Sequence, residues 1–376
     1  MSKIFLDNNS TTPIDPEVLD TMIPFFKTKF GNSSSRTHSF GWEAEASVEI
    51  AREQISNLIN CGPNQIIFTS GATESNNITL LNTLNQNKRH IITISTEHKA
   101  IIDICNHLNK QHNVDITYIK PNTNGIIDIE KLKEKLTDQT YLISVMHVNN
   151  EIGVIQPIEE IGKICLENNI LFHVDAAQSL GKIPIDVNKM NINFLSISAH
   201  KIYGPKGVGA LYYNKEIKPI SYGGSQEKSI RPGTLPVPLI VGFGKACQIA
   251  KNVMIKEAQK ILEMRNLLLK NILAKYPDTI INGDIVNRIE GNLNLSFPIL
   301  KGQSIVTSMP KIAVSSGSAC TSSSPKPSHV LSNIGLNKKL SNSSIRIGIG
   351  RFNTKDEILI AVQEIINCIE RKINAR

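Results

Sequence analysis

The chain has 376 residues, of which 40% are hydrophobic and 20% charged; that is enough for two domains and a large core, and it excludes a disordered protein. No apolar run reaches the length of a membrane span. The opening MSKIFLDNNSTTP has neither the apolar stretch of a signal peptide nor the Arg-rich character of a transit peptide, so a cytoplasmic protein is expected. The net charge of +8 is spread without a basic block or aromatic-basic pattern, which argues against nucleic-acid binding as the main function, although a basic surface can attract tRNA or an acidic protein.

In chain order, a short strand at 4–7 leads into the turn-rich NNSTTPIDP, which prepares a helix over 17–27. Residues 40–58 carry apolar positions at helical spacing, with Glu and Arg between them. QIIFT at 65–69 reads as a strand that stops at Ser70-Gly71-Ala72-Thr73-Glu74 and resumes as a helix to residue 84. A strand, a small-residue turn and a helix start present free backbone N–H groups to an anion, here with the Thr73 hydroxyl beside them.

From there strands predicted at 90–95, 115–119, 141–147 and 171–175 alternate with helices at 99–110, 129–136 and 158–168. Such alternation means βαβ units and a largely parallel sheet. Ligands bind beyond the carboxyl ends of these strands, and the polar clusters stand there: Glu97-His98, His147 to Glu151, and Asp175 to Gln178. A further strand, 193–198, runs into Ala199-His200-Lys201 and a turn closed by Gly204, Pro205 and Gly207. A lysine at a strand end on a rigid platform loses hydration more readily than one on a helix face, and its amine then becomes able to form a Schiff base with a carbonyl cofactor.

After a Gly- and Pro-punctuated loop at 222–234, the pattern predicts a long helix over 239–276, strands at 292–297 and 344–349, a polar low-complexity run at 315–324 and a last helix at 355–373. The expected architecture is α/β: a large domain over 15–255, and a smaller α+β domain formed by 1–14 and 256–376.

These parts meet the requirements of pyridoxal phosphate chemistry. Lys201 supplies the amine, Asp175 can keep the pyridine nitrogen protonated, and His98 can stack on the ring. Ala72, Thr73, Ser198 and His200 suit the phosphate, while Asn150 and Gln178 can hydrogen-bond the ring oxygen. The six cysteines are scattered without CxxC or Cys/His ligand spacing, which argues against a zinc site or a disulfide framework. Five sit in helical or strand patterns as small hydrophobes; Cys320 sits in SSGSACTSSSPKPSH, where no packed core is expected and a mobile loop is.

GATESNN, TEHKA, HVNNEIG, HVDAAQ, SAHKIYGPKG, RPGT, SSGSACTS and GRF, in this order, resemble the cysteine desulfurases of the NifS/IscS type, which share the aspartate aminotransferase fold (fold type I). The likeness runs over nearly the whole chain. It implies Lys201 as the Schiff-base lysine, His98 as ring stack and acid/base, and Cys320 as the nucleophile that takes sulfur from free L-cysteine as a persulfide, releasing alanine. Thr73, Asn150, Asp175, Gln178, Ser198 and His200 are implied as cofactor ligands, Arg351 of GRF as the group binding the substrate carboxylate, and a homodimer in which Thr234 reaches the partner subunit's phosphate. The serine-rich loop resembles that of members delivering sulfur to iron–sulfur scaffold or carrier proteins, including tRNA-thiolation relays; an RxGxHCA-like motif of the other group is absent. Housekeeping bacterial members of the family carry a longer C-terminal tail that docks the iron–sulfur scaffold, whereas this sequence stops at Arg376; either the acceptor docks differently here or the tail has been lost, and scaffold binding is an open expectation. A selenocysteine lyase or an aminotransferase of the same fold would share the cofactor residues without a use for Cys320. A non-enzymatic sulfur carrier or tRNA-binding protein that retains the fold would tolerate the loss of Lys201.

Overall fold

The computed structural model describes residues 3–316 and 327–375. Its strands, in chain order, are β1 (Ile4–Phe5), β2 (Ile66–Thr69), β3 (His90–Ile94), β4 (Asp115–Ile119), β5 (Thr140–Met146), β6 (Leu171–Asp175), β7 (Phe194–Ser198), β8 (Gly209–Tyr213), β9 (Ile280–Ile281), β10 (Asn292–Ser296), β11 (Ile312–Ala313) and β12 (Ser344–Gly348). Seven of them form one sheet in the order β2-β8-β7-β6-β5-β3-β4. Only β8 runs against the rest, pairing antiparallel with both β2 and β7. The carboxyl ends of β2, β3, β5, β6 and β7 therefore lie along one edge of the sheet.

Strands covered on both faces need apolar residues on both, and successive side chains go to opposite sides. Ile91 and Leu142 face a core with Ile78, Ile101 and Leu108, while their neighbours Ile92 and Ile143 face a second core with Val48, Ile55 and Phe243. A separate core lies on the antiparallel sheet β12-β10-β9, where Leu293, Leu295, Ile345 and Ile347 pack with Met264, Leu268, Ile358 and Ile365. The helix Val237–Lys275 joins the two regions, giving Ile240 and Phe243 to the main core and Met264 and Leu268 to the smaller one. Pro236 precedes its first turn and Tyr276 caps its end.

The α/β architecture expected from the sequence is the one observed, and the alternating elements fall within about two residues of their predicted bounds. The strand β8 was not anticipated, because GALYY follows the glycine turn too closely to stand out as an element. A Cβ at Gly209 would lie 2.4 Å from the Ile197 carbonyl oxygen and 2.7 Å from the Gly71 Cα, so β8 can start beside the turn after β2 only with glycine there. Among the described residues no helix is long and apolar enough to cross a membrane.

Candidate active site

A cavity of about 440 Å³ opens at the carboxyl edge of the large sheet. Five strand ends supply a group to it: Thr73 after β2, His98 after β3, Asn150 after β5, Asp175 at the end of β6, and Lys201 in the short turn after β7. Ala72, Gln178, Ser198 and His200 line it too. Nine of the ten residues assigned to the cofactor from the sequence thus meet in one cavity. Thr234, the tenth, is exposed and is not part of this lining.

The Asp175 carboxylate, 6% exposed, accepts the Asn76 side-chain amide on Oδ2 (2.8 Å) and the Ala177 backbone N–H on Oδ1 (3.0 Å). Together the two bonds fix the plane of the carboxylate. His98 caps the helix Lys99–His112, its Nδ1 accepting the Ala100 amide at 3.1 Å. That nitrogen carries no proton, so the neutral ring holds its proton on Nε2. Burial holds the imidazole below its ordinary pKa; Asp175 opposes this and Lys201 adds to it.

Lys201 Nζ donates to the backbone carbonyls of Asn9 (2.9 Å) and Ser10 (2.5 Å). Gln178 Nε2 donates to the same Asn9 carbonyl (2.8 Å), tying the turn after β6 to that after β7. His200 Nδ1 lies 3.0 Å from the Thr11 hydroxyl, and its pKa is pushed down to about 4 by burial and by Lys201. The helix Ala72–Leu81 starts at the cavity, with Gly71 as its N-cap. Its first-turn amides have no partner within the helix. Glu74 reaches back to the Ser70 amide (2.5 Å) and accepts Arg231 Nε (3.0 Å), so the turn is braced from outside.

The donor set suits pyridoxal phosphate group by group: an amine for the aldehyde, a held carboxylate for the pyridine nitrogen, an imidazole beside them, and a helix N-terminus with hydroxyls for the phosphate.

Arg351 is not among the residues lining this cavity. Its guanidinium pairs with Asp15 (Nη1–Oδ2 2.7 Å) and with both oxygens of Glu257, and lies 4.2 Å from the centre of the Tyr203 ring. Its fork is engaged by two carboxylates, and the structure does not bring Arg351 into the cavity with the other residues expected from the sequence. The arginine that does line the cavity is Arg346, in β12 and 1% exposed. Nη2 pairs with Asp7 at 2.8 Å, Nη1 donates to the Asn150 carbonyl at 3.1 Å, and Nε is buried with no partner among the described residues. Sequence reasoning missed it, although an arginine between Ile345 and Ile347 in a buried strand is itself a signal, since a charge at such a position requires partners. Asn76 and Asp7 were missed because each acts by holding another group, Asp175 and Arg346 respectively.

Cys320 lies outside the described residues. Ser315 and Ser328 are placed near Arg346: Ser315 Oγ donates to Asp7 (3.0 Å), and Ser328 Oγ to Glu151 Oε2 (2.5 Å). Burial raises the Glu151 carboxyl to about 7. Cys105 and Cys61 are pushed up to about 12 by burial, so at neutral pH they are thiols.

The class-V aminotransferase family profile matches residues 4–360. The cysteine desulfurase IscS of Rickettsia typhi is 53% identical over 375 residues, covering 98% of this chain and 91% of that protein. The chain belongs to the cysteine desulfurases of the class-V aminotransferase family. A NifS-like protein of Rickettsia africae superposes with a TM-score of 0.88 at 34% identity, over 98% of this chain and 99% of that one. The structure titled SspA in complex with cysteine gives a TM-score of 0.83 at 36% identity, over 94% of this chain and 100% of that one. Like its family, this desulfurase is a pyridoxal-phosphate-dependent enzyme.

Proposed function

We propose that the enzyme converts L-cysteine to L-alanine and carries the released sulfur as a persulfide on Cys320. The observation that most supports this reading is the meeting of Lys201, His98, Asp175 and Arg346 at one cavity. Bound pyridoxal phosphate supplies an electron sink at the substrate α-carbon. Lys201 would be the cofactor's amine partner and the base for the α-proton, and Asp175 would pair with the pyridine nitrogen. His98, with its proton on Nε2, would lie against the cofactor ring and serve as the acid and base for the sulfur groups. Thr73, Ser198 and His200, with the Ala72 amide, hold the phosphate; Gln178 and Asn150 hold the ring oxygen. Arg346 binds the substrate carboxylate, its orphaned Nε and fixed plane suiting a planar, charge-assisted contact that lysine does not reproduce.

The Cys320 thiolate attacks the substrate sulfur; a sulfur–sulfur bond forms, the carbon–sulfur bond breaks, and the carbon skeleton takes up a proton to leave as alanine. The oxidised sulfur stays on the protein, so no outside oxidant is required. Ser315 and Ser328, described residues on either side of Cys320 in the sequence, hydrogen-bond Asp7 and Glu151, which supports this reading. The persulfide then passes to an acceptor protein, an iron–sulfur scaffold or a sulfur carrier such as one serving tRNA thiolation. A homodimer fits the exposed Phe26, Phe30, Trp42 and Tyr222 and the position of Thr234, which would meet the phosphate of the partner subunit.

Alanine formation from cysteine by the cofactor-loaded enzyme tests this reading. Wild type should form alanine, and Lys201→Ala and Cys320→Ala should not. Undiminished alanine from Cys320→Ala would leave a lyase that does not use this cysteine.

A further inference from the structure

Lys201 and Asn9 also line a second, smaller cavity of about 50 Å³. Its lining includes Lys201, Lys182, Asn9, Glu257, Glu290 and Arg351. Lys182 has no part in the chemistry set out above, yet it faces the same space as the cofactor lysine. Its Nζ donates to Gln178 Oε1 (3.2 Å), and Gln178 in turn donates to the Asn9 carbonyl that also accepts Lys201 Nζ. One side-chain amide and one carbonyl thus connect the two amines.

The backbone fixes Lys182 in this place. Its amide closes a turn onto the Ser179 carbonyl (3.0 Å). The preceding Gly181 has φ +65°, and a Cβ there would lie 2.9 Å from the Ala250 Cβ, so the turn is pressed against the long helix. Among the described residues Lys182 makes no ion pair. Glu257 on the same cavity is already engaged by Arg351. Burial brings the Lys182 amine down to about 7, and the Lys201 amine adds to that shift. Two amines facing one small cavity disfavour each other's protons.

We propose that Lys182 is a positioning residue for Lys201, acting through Gln178 and through its charge across the shared cavity to keep the Lys201 nitrogen unprotonated. An unprotonated nitrogen is what a lysine needs in order to accept a proton from substrate. The proposal rests on the reading of Lys201 as the cofactor lysine. Glu257, Glu290 and Arg351 line the smaller cavity with the pair, and Asp175, His98, His200, Lys206 and Arg346 line the larger one with Lys201. These groups are common to every Lys182 variant, so a comparison among variants isolates the second lysine.

The test is a pH titration of the absorbance of bound pyridoxal phosphate in the holoenzyme, which reads protonation at the Lys201 nitrogen without turnover. Lys182→Met and Lys182→Gln should move the midpoint up by about one pH unit, a tenfold change in proton affinity. Lys182→Arg, which keeps the charge, should stay at or below the wild-type midpoint. Lys182→Gln retains a side-chain amide toward Gln178, so it also decides the matter if Lys182→Met does not fold. Midpoints unmoved in both uncharged variants, or raised equally in Lys182→Arg, would overturn the proposal. Lys201→Ala serves as the control: a wild-type titration in that variant would remove the reading of Lys201 instead.

Discussion

Exchanging Arg346 and Arg351 in turn for lysine separates two arginines five positions apart in one sequence stretch. Arg346 is 1% exposed in the cavity, with Asp7 on Nη2 and the Asn150 carbonyl on Nη1. Lysine keeps the charge, and so a partner for Asp7, but loses the fork that a carboxylate meets with two parallel bonds. A hydrogen bond to a charged group contributes about 1.5–3 kcal/mol. At about 1.4 kcal/mol per decade, losing one such bond corresponds to a fall of roughly 10- to 100-fold in kcat/KM, carried mainly by KM because the contact is made in substrate and transition state alike. Arg351→Lys leaves the cavity untouched but weakens the bridge from Asp15 to Glu257, so it should lower thermal stability and change KM less than threefold. Steady-state alanine formation over a cysteine series gives both constants, and cofactor absorbance checks that each variant is loaded. A larger KM effect in Arg351→Lys than in Arg346→Lys would refute the assignment of the two arginines.

His98→Ala should lower kcat by about 10²- to 10⁴-fold, the usual worth of a positioned acid or base, and should alter the spectrum of the bound cofactor; an unchanged rate would remove His98 from the proton transfers. His173, fully buried between the hydroxyls of Ser144 and Ser196, is held at about 4 by burial, against 6.5 when exposed. Between these values the unfolded chain binds the extra proton, so this group's contribution to stability rises with pH across that window and is lost as the pH falls through it. Its full size at neutral pH is about 3 kcal/mol, from about 1.4 kcal/mol per unit. His173→Asn should therefore flatten the dependence of urea-unfolding free energy on pH between 4 and 6.5 by close to one proton relative to wild type, and parallel dependences would contradict the buried neutral ring.

The sequence showed most where a chemical requirement falls on a strand end. His98, Asp175 and Lys201 were recognisable because each polar residue follows directly on an apolar run, and a parallel sheet brings such positions to one edge. Groups whose partners are distant in the chain were not recognisable in this way. Asp7 and Arg346 are 339 residues apart and meet only because β12 lies beside the first residues of the chain. The motif GRF drew attention to Arg351, but the sequence does not display that Asp15 and Glu257 already occupy its guanidinium. Strand β8 was missed for a related reason: its antiparallel course depends on the glycine turn after Lys201, and five apolar or small residues carry no sign of direction. Lys182 has no distinguishing pattern at all, and its proximity to Lys201 follows from the turn at Gly181.

The most direct test of the central claim is an anaerobic incubation of the purified holoenzyme with one equivalent of cysteine, followed by peptide mass mapping of all six cysteines. The account predicts one added sulfur on Cys320, one alanine released for each sulfur bound, and neither in Cys320→Ala. Added sulfur on another cysteine, or alanine released with no sulfur on the protein, would contradict it.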